Sequence, residues 1–189
     1  MYKTISNEII RRFDPCYDPL EIITNENEEL PIKEWLEKYR SIVPTNDILW
    51  LLLRREFMSE KDLRLFSVWC ARDALKLIEK PDHISIEACD VAERYANGEA
   101  TEEELLAARN AAAYVAYVAT DNAAANYAAS AAYYTTRATY YAARIAYYAA
   151  RASYYAARAA SHYDSSATYE ALYNVMRSMQ LDKLLTYFK

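Results

Sequence analysis

Histidine, cysteine and converging carboxylates are the side chains that most often bind metals or move protons, and in this sequence they are few and scattered. His83 and His162 lie far apart, and neither belongs to an HxxxH or HxxE spacing that would set two ligands on one helical face. His83, directly after Pro81-Asp82, reads as a surface or capping residue at a helix end. Cys16, Cys70 and Cys89 are odd in number and lack CxxC spacing, which suits reduced thiols rather than a disulfide or zinc frame. Cys70 falls on an apolar stripe and reads as a small core residue. Glu102, Glu103 and Glu104 follow Thr101, the pattern of a helix-capping box rather than of an acid/base pair. A single glycine in 189 residues leaves no room for a phosphate loop, a nucleophile elbow or a dinucleotide fingerprint. No catalytic residue, metal ligand or cofactor site is assigned, and the expectation is a binding protein rather than an enzyme.

The residues that could do other work are tyrosine and arginine. Residues 133–160 read YYTTRAT, YYAARIA, YYAARAS, YYAARAA. On a helix turning about 100° per residue, with Tyr140 at 0°, Arg144 lies at about 40° and Tyr141 at about 100°, while Ala142, Ala143, Ile145 and Ala146 take the rest of the circumference. One face is therefore tyrosine and arginine, the other alanine, over roughly 40 Å if the helix is unbroken. The stripe of Tyr134, Arg137, Tyr141, Arg144, Tyr148, Arg151, Tyr155 and Arg158 is the candidate partner-binding face. Tyrosine and arginine dominate interface hot spots, and each guanidinium lies three or four residues from phenol rings that it can cover. A second placement stays open: the stripe packs inside against the acidic N-terminal half, since residues 110–160 carry four arginines against Asp121 alone. Stacking of nucleotides or single-stranded nucleic acid on the tyrosines is a thinner reading, because four arginines in a chain of net charge −5 make a small electrostatic footprint. The alanine face, at a strict seven-residue period, also admits a homomeric coiled coil.

Two differently composed halves must position this stripe. Residues 1–98 hold all five prolines, all three tryptophans and 19 acidic against 14 basic residues; residues 99–189 hold 28 alanines and 15 of the 19 tyrosines, with 8 acids and 8 bases. The expected organisation is an N-terminal helical domain, 1–98, followed by long Ala/Tyr-rich helices, 99–189. In the first half, Ile5, Ile9, Ile10 and Phe13 predict a helix that stops before Asp14-Pro15, and Pro31 predicts another in its first turn. Asn46 or Asp47 is expected to cap ILWLLLRREF, and Ser59 with Asp62 a helix whose buried stripe is Leu63, Phe66, Cys70, Ala74 and Leu77. A helix from about Ser85 should end at Gly98 in a left-handed cap. The second half opens at Thr101, with breaks expected at Thr120-Asp121-Asn122 and across residues 161–166.

Composition closes the fold class. With one glycine and five prolines the chain lacks the turn residues that sheets require, so it is expected to be all-α. The pI of about 5.2 argues against general attraction to nucleic acid or anionic lipid. The start, MYKTISNEII, has no signal-peptide pattern, and the longest aliphatic run, Ile48 to Leu53, is far short of a bilayer span of about 20 residues. The expected location is the cytoplasm.

The stretches LFSVWCARDALKLIE and IEACDVAERYANGEATEEELLAARNAAAYVAYVA, with the Ala-rich aromatic tail after them, resemble the alanine-rich immunity proteins that accompany bacterial polymorphic toxins and also occur in phages. The likeness spans roughly residues 45–160 and is most specific at Ala92 to Thr101, a helix end, a glycine cap and the next helix start. It implies a non-enzymatic protein that binds and neutralises a protein partner, as toxin immunity or as phage counter-defence. It transfers no site residues, and the doubled tyrosines depart from the family's more irregular tails. An oligomerising structural protein is the alternative.

Overall fold

The structure, a computed structural model, describes residues 1–118, 123–140, 151–152, 154–156, 158–159 and 169–188. It is all-α apart from one small feature at the start. Ile5, expected on the first helix, lies instead in a three-residue strand, β1 (Thr4–Ser6), paired antiparallel with β2 (Glu29–Pro31) in the register Thr4–Pro31, Ile5–Leu30, Ser6–Glu29. The cause is a cap. The Ser6 hydroxyl accepts from the Ile9 amide at 3.3 Å, which holds Ser6 in extended backbone and delays α1 to Asn7–Arg11.

Prolines set the next two starts. Pro31 precedes α2 (Ile32–Tyr39), and Pro44 precedes α3 (Thr45–Leu52), so Asn46 and Asp47 occupy the first turn of α3 instead of capping it. α3 also stops before RREF: Arg54 folds back, donates from Nε to the Trp50 carbonyl at 3.2 Å and lies over the Trp50 and Phe13 rings. That contact satisfies one of the open carbonyls at the helix end.

The later boundaries follow their caps. The Ser59 hydroxyl accepts from the Asp62 amide at 3.1 Å and opens α4 (Glu60–Leu75). Leu63, Phe66, Cys70 and Ala74 are fully buried on it, while Leu77 lies beyond its last turn and is half-buried. Asp82 caps α5 (His83–Asn97), which starts two residues before the expected Ser85, and accepts from the Ser85 amide at 2.9 Å. Gly98 ends α5 at φ +82°, left-handed backbone that costs other residues about 1–2 kcal/mol. Gly98→Ala is therefore expected to lower unfolding free energy by about that amount. No atom lies within 4 Å of an added Cβ, so a larger loss in a urea titration would contradict the backbone explanation.

Thr101 and Glu104 exchange hydrogen bonds, 2.8 Å to the carboxylate and 3.2 Å to the hydroxyl, and open α6 (Glu102–Val118). α7 spans Ala123–Tyr140, residues 151, 152, 154–156, 158 and 159 are helical, and α8 spans Tyr169–Leu185. The breaks expected at 120–122 and 161–166 lie outside the described residues.

α7 packs against α4, α5 and α6 together, and small side chains allow it. Ala128, Ala131, Thr135 and Ala138 fall at steps of three and four, all buried, and the Thr135 hydroxyl donates to the Ser67 carbonyl of α4 at 2.9 Å. Ala131→Leu would force a branched side chain into that close crossing, with an expected cost of about 1–3 kcal/mol. An unchanged denaturation midpoint would mean that the two helices are not held at this distance. α8 returns to α3 and α4, where Arg177 is buried and donates to Asn46 at 2.7 Å and Gln180 at 2.9 Å, and burial holds its guanidinium below the usual arginine value. Residues on both sides of Gly98, from Ile5 to Leu184, enter one hydrophobic core. Among the described residues no helix is long and apolar enough to cross a membrane.

Candidate partner-binding face

Each described arginine of the heptads reaches a tyrosine of its own segment four residues away. Arg137 donates to Tyr133 at 3.2 Å, Arg151 to Tyr155 at 2.9 Å and Arg158 to Tyr154 at 3.4 Å. This is the local pairing that an i, i+4 spacing permits on any helix. The guanidiniums also reach across. Arg151 donates to Tyr134 at 3.0 Å, and Arg158 to Tyr127 at 2.7 Å, with each guanidinium 4.8 Å from the ring of that second partner.

These cross-pairs correct the picture of one continuous stripe. Residues 134 and 151 would stand roughly 25 Å apart along a single helix. Tyr134 meets Arg151 and Tyr127 meets Arg158, so a step of seven residues down α7 matches a step of seven up the other segment. The two segments run antiparallel with their heptads meshed. Tyr155 fills the gap: its ring is stacked on Tyr134 at 5.1 Å and 4°, and lies 6.1 Å from Tyr127. Tyr154 turns its edge to Tyr173 of α8 at 6.3 Å.

The predicted set is thus distributed unevenly. Tyr134, Arg137, Arg151, Tyr155 and Arg158 are half-buried and, Arg137 apart, joined in one layer; Tyr141, Arg144 and Tyr148 lie outside the described residues. The alanines behind them, among them Ala152, Ala156 and Ala159, are buried within the chain. The tyrosines stack on one another and on arginine between two segments of the C-terminal half, and Tyr127, Tyr134 and Tyr155 also pack against the hydrophobic core.

Sequence reasoning passed over Tyr127, Tyr154 and Tyr173. Tyr127 stands one heptad before Tyr134, but its heptad lacks an arginine, so only the seven-residue spacing could have flagged it. Burial raises the Tyr155 hydroxyl above its ordinary pKa, so it stays a neutral phenol at physiological pH. The layer offers arginines held by phenol oxygens beside aromatic faces.

Elsewhere, His83 is exposed at the first position of α5, and His162 lies outside the described residues. Among the described residues Cys16, Cys70 and Cys89 form no disulfide; burial pushes the Cys89 thiol up to about 12, far from thiolate at neutral pH. Among the described residues no three His, Cys, Asp or Glu side chains gather as metal ligands. No protein-family model, curated protein or solved structure matches the chain.

Proposed function

We propose that this chain is a non-enzymatic inhibitor that binds and neutralises a protein partner through its tyrosine–arginine layer. The observation that carries the reading is the pre-ordering of Arg151 and Arg158. Each guanidinium is held by two phenol hydroxyls and lies near aromatic faces, so little side-chain freedom remains to be lost on binding. Large rigid rings with a polar tip, beside fixed arginines, are the side chains that anchor interfaces. The resemblance to immunity proteins supports the same class of function, acting in the cytoplasm as immunity to a toxin or as phage counter-defence. Oligomerisation through the alanine faces has less to work with, because Ala131, Ala132, Ala138, Ala152, Ala156 and Ala159 are buried inside the chain.

The test is capture of the partner by the tagged chain in its host, followed by titration of the purified pair. A saturable complex of fixed stoichiometry, with the partner's activity suppressed, is expected. A captured protein that is chemically altered by the chain, or that keeps its full activity when saturated, would sink the reading.

A further inference from the structure

α6 turns an apolar line to solvent. Ala107, Ala111, Tyr114 and Val118 recur at steps of four, three and four, which places them on one side of the helix at about 100° per residue. Tyr114 is 67% exposed, Tyr117 82% and Val118 46%, large apolar groups left to water side by side. The same side of α6 borders an open groove of about 300 Å³ between α5 and α6, where Ala88 and Val91 are buried and Ile84, Ala107, Ala108 and Ala111 complete the lining. Small residues on both helices let a third helix approach closely.

The charges around this groove are negative in balance. Glu87 is exposed at its edge and forms no ion pair among the described residues, and Glu103 is exposed on the adjoining side of α6. Arg94 is the one cation in the lining and is already bound to Glu104 at 2.9 Å. On the outer side of α5, Asp90 and Glu93 share Arg72, at 2.7 and 2.6 Å, which leaves one negative charge over.

We propose that this α5–α6 face docks an amphipathic α-helix of a partner protein, one whose apolar stripe is flanked by lysine or arginine. From Ala107 to Val118 the line is about 17 Å long at 1.5 Å per residue, three turns of a docked helix. A helix laid in a groove between helices is read through apolar anchors at three- and four-residue steps, and the rim carboxylates select its flanks. A second copy meeting face to face would set Glu87 and Glu103 against their like. The surface is separate from the tyrosine–arginine layer and opposite to it in charge.

The test titrates the full chain with two fluorescein-labelled helical peptides that share one leucine–alanine stripe, one flanked by lysine and the other by glutamate. The lysine peptide should saturate at one per chain and weaken with added salt, and the glutamate peptide should bind at least tenfold less tightly. Glu87→Lys and Ala107→Trp, the second filling the groove from an exposed position, should each weaken the lysine peptide at least tenfold with the circular dichroism unchanged. Replacing Arg151 and Arg158 should leave its affinity as it was. Absence of saturation, equal binding of the two peptides, or undiminished binding by folded Glu87→Lys overturns the proposal. A concentration-dependent dimer in sedimentation that Ala107→Trp abolishes also overturns it, by giving the face to a second copy.

Discussion

Phe66→Ala is expected to lower unfolding free energy by about 3–5 kcal/mol, the range for removing a fully buried aromatic ring. Phe66 is fully buried on α4, with Trp69 stacked beside it at 6.4 Å and the edge of Tyr187 at 6.5 Å. It joins the helix that α5, α7 and α8 all touch to the residues just past the end of α8. The surrounding walls are tied elsewhere, α7 by Thr135 to Ser67 and α8 by Arg177 to Asn46, so the cavity left by the ring has little freedom to collapse. Against a total stability of roughly 5–15 kcal/mol for a domain, that loss leaves the chain near its limit. Urea titration of Phe66→Ala and Phe66→Leu measures it, and the leucine variant should recover more than half of the loss. A change below about 1 kcal/mol for the alanine variant would show that the ring does not brace these helices.

The double replacement Arg151→Glu with Arg158→Glu is expected to weaken binding of the captured partner by more than about 2 kcal/mol, roughly thirtyfold, while the fold survives. Both side chains are half-buried, and their hydrogen-bond partners are phenol oxygens. A phenol accepts from arginine but can donate to a carboxylate, so each new glutamate meets a group that still suits it. What the partner meets changes sign, two positive charges becoming two negative ones. A purely structural role for the layer gives the reverse result: a fall in melting temperature, with full affinity kept by the folded fraction. Melting temperature and affinity measured on one preparation separate the two, and the Arg→Lys pair, which keeps the charge, should lie between wild type and the double replacement.

Helix starts and stops were largely legible in the sequence, and of the two exceptions one has a local cause and the other a distant one. Ser59, Gly98 and Thr101 act where their residue types placed them, because a cap is a bond between residues two to five apart. α3 begins at Thr45 and not at a cap on Asn46 or Asp47 because Pro44 leads directly into its first turn. The spacing of Ile5 to Ile9 suits a helix, yet pairing with Leu30, with the Ser6 cap beside it, decides its backbone. That partner lies twenty-five residues away, beyond the reach of a periodicity argument.

The heptads show the same division more sharply. Their residue types alone determined that tyrosine and arginine share one side of a helix and alanine the other, since a period of seven against 3.6 residues per turn leaves no other sorting. They could not determine what that side would meet. A repeat offers an equivalent stripe every seven residues, so many registers look alike, and only packing selects one. In the folded chain the alanines of α7 are drawn into close contact with α4, α5 and α6, and Tyr134 and Tyr127 are brought to Arg151 and Arg158. The composition of the tyrosine–arginine layer was therefore set by the local order of residues, and its shape, two short antiparallel rows instead of one long one, by contacts between residues 17 and 31 positions apart.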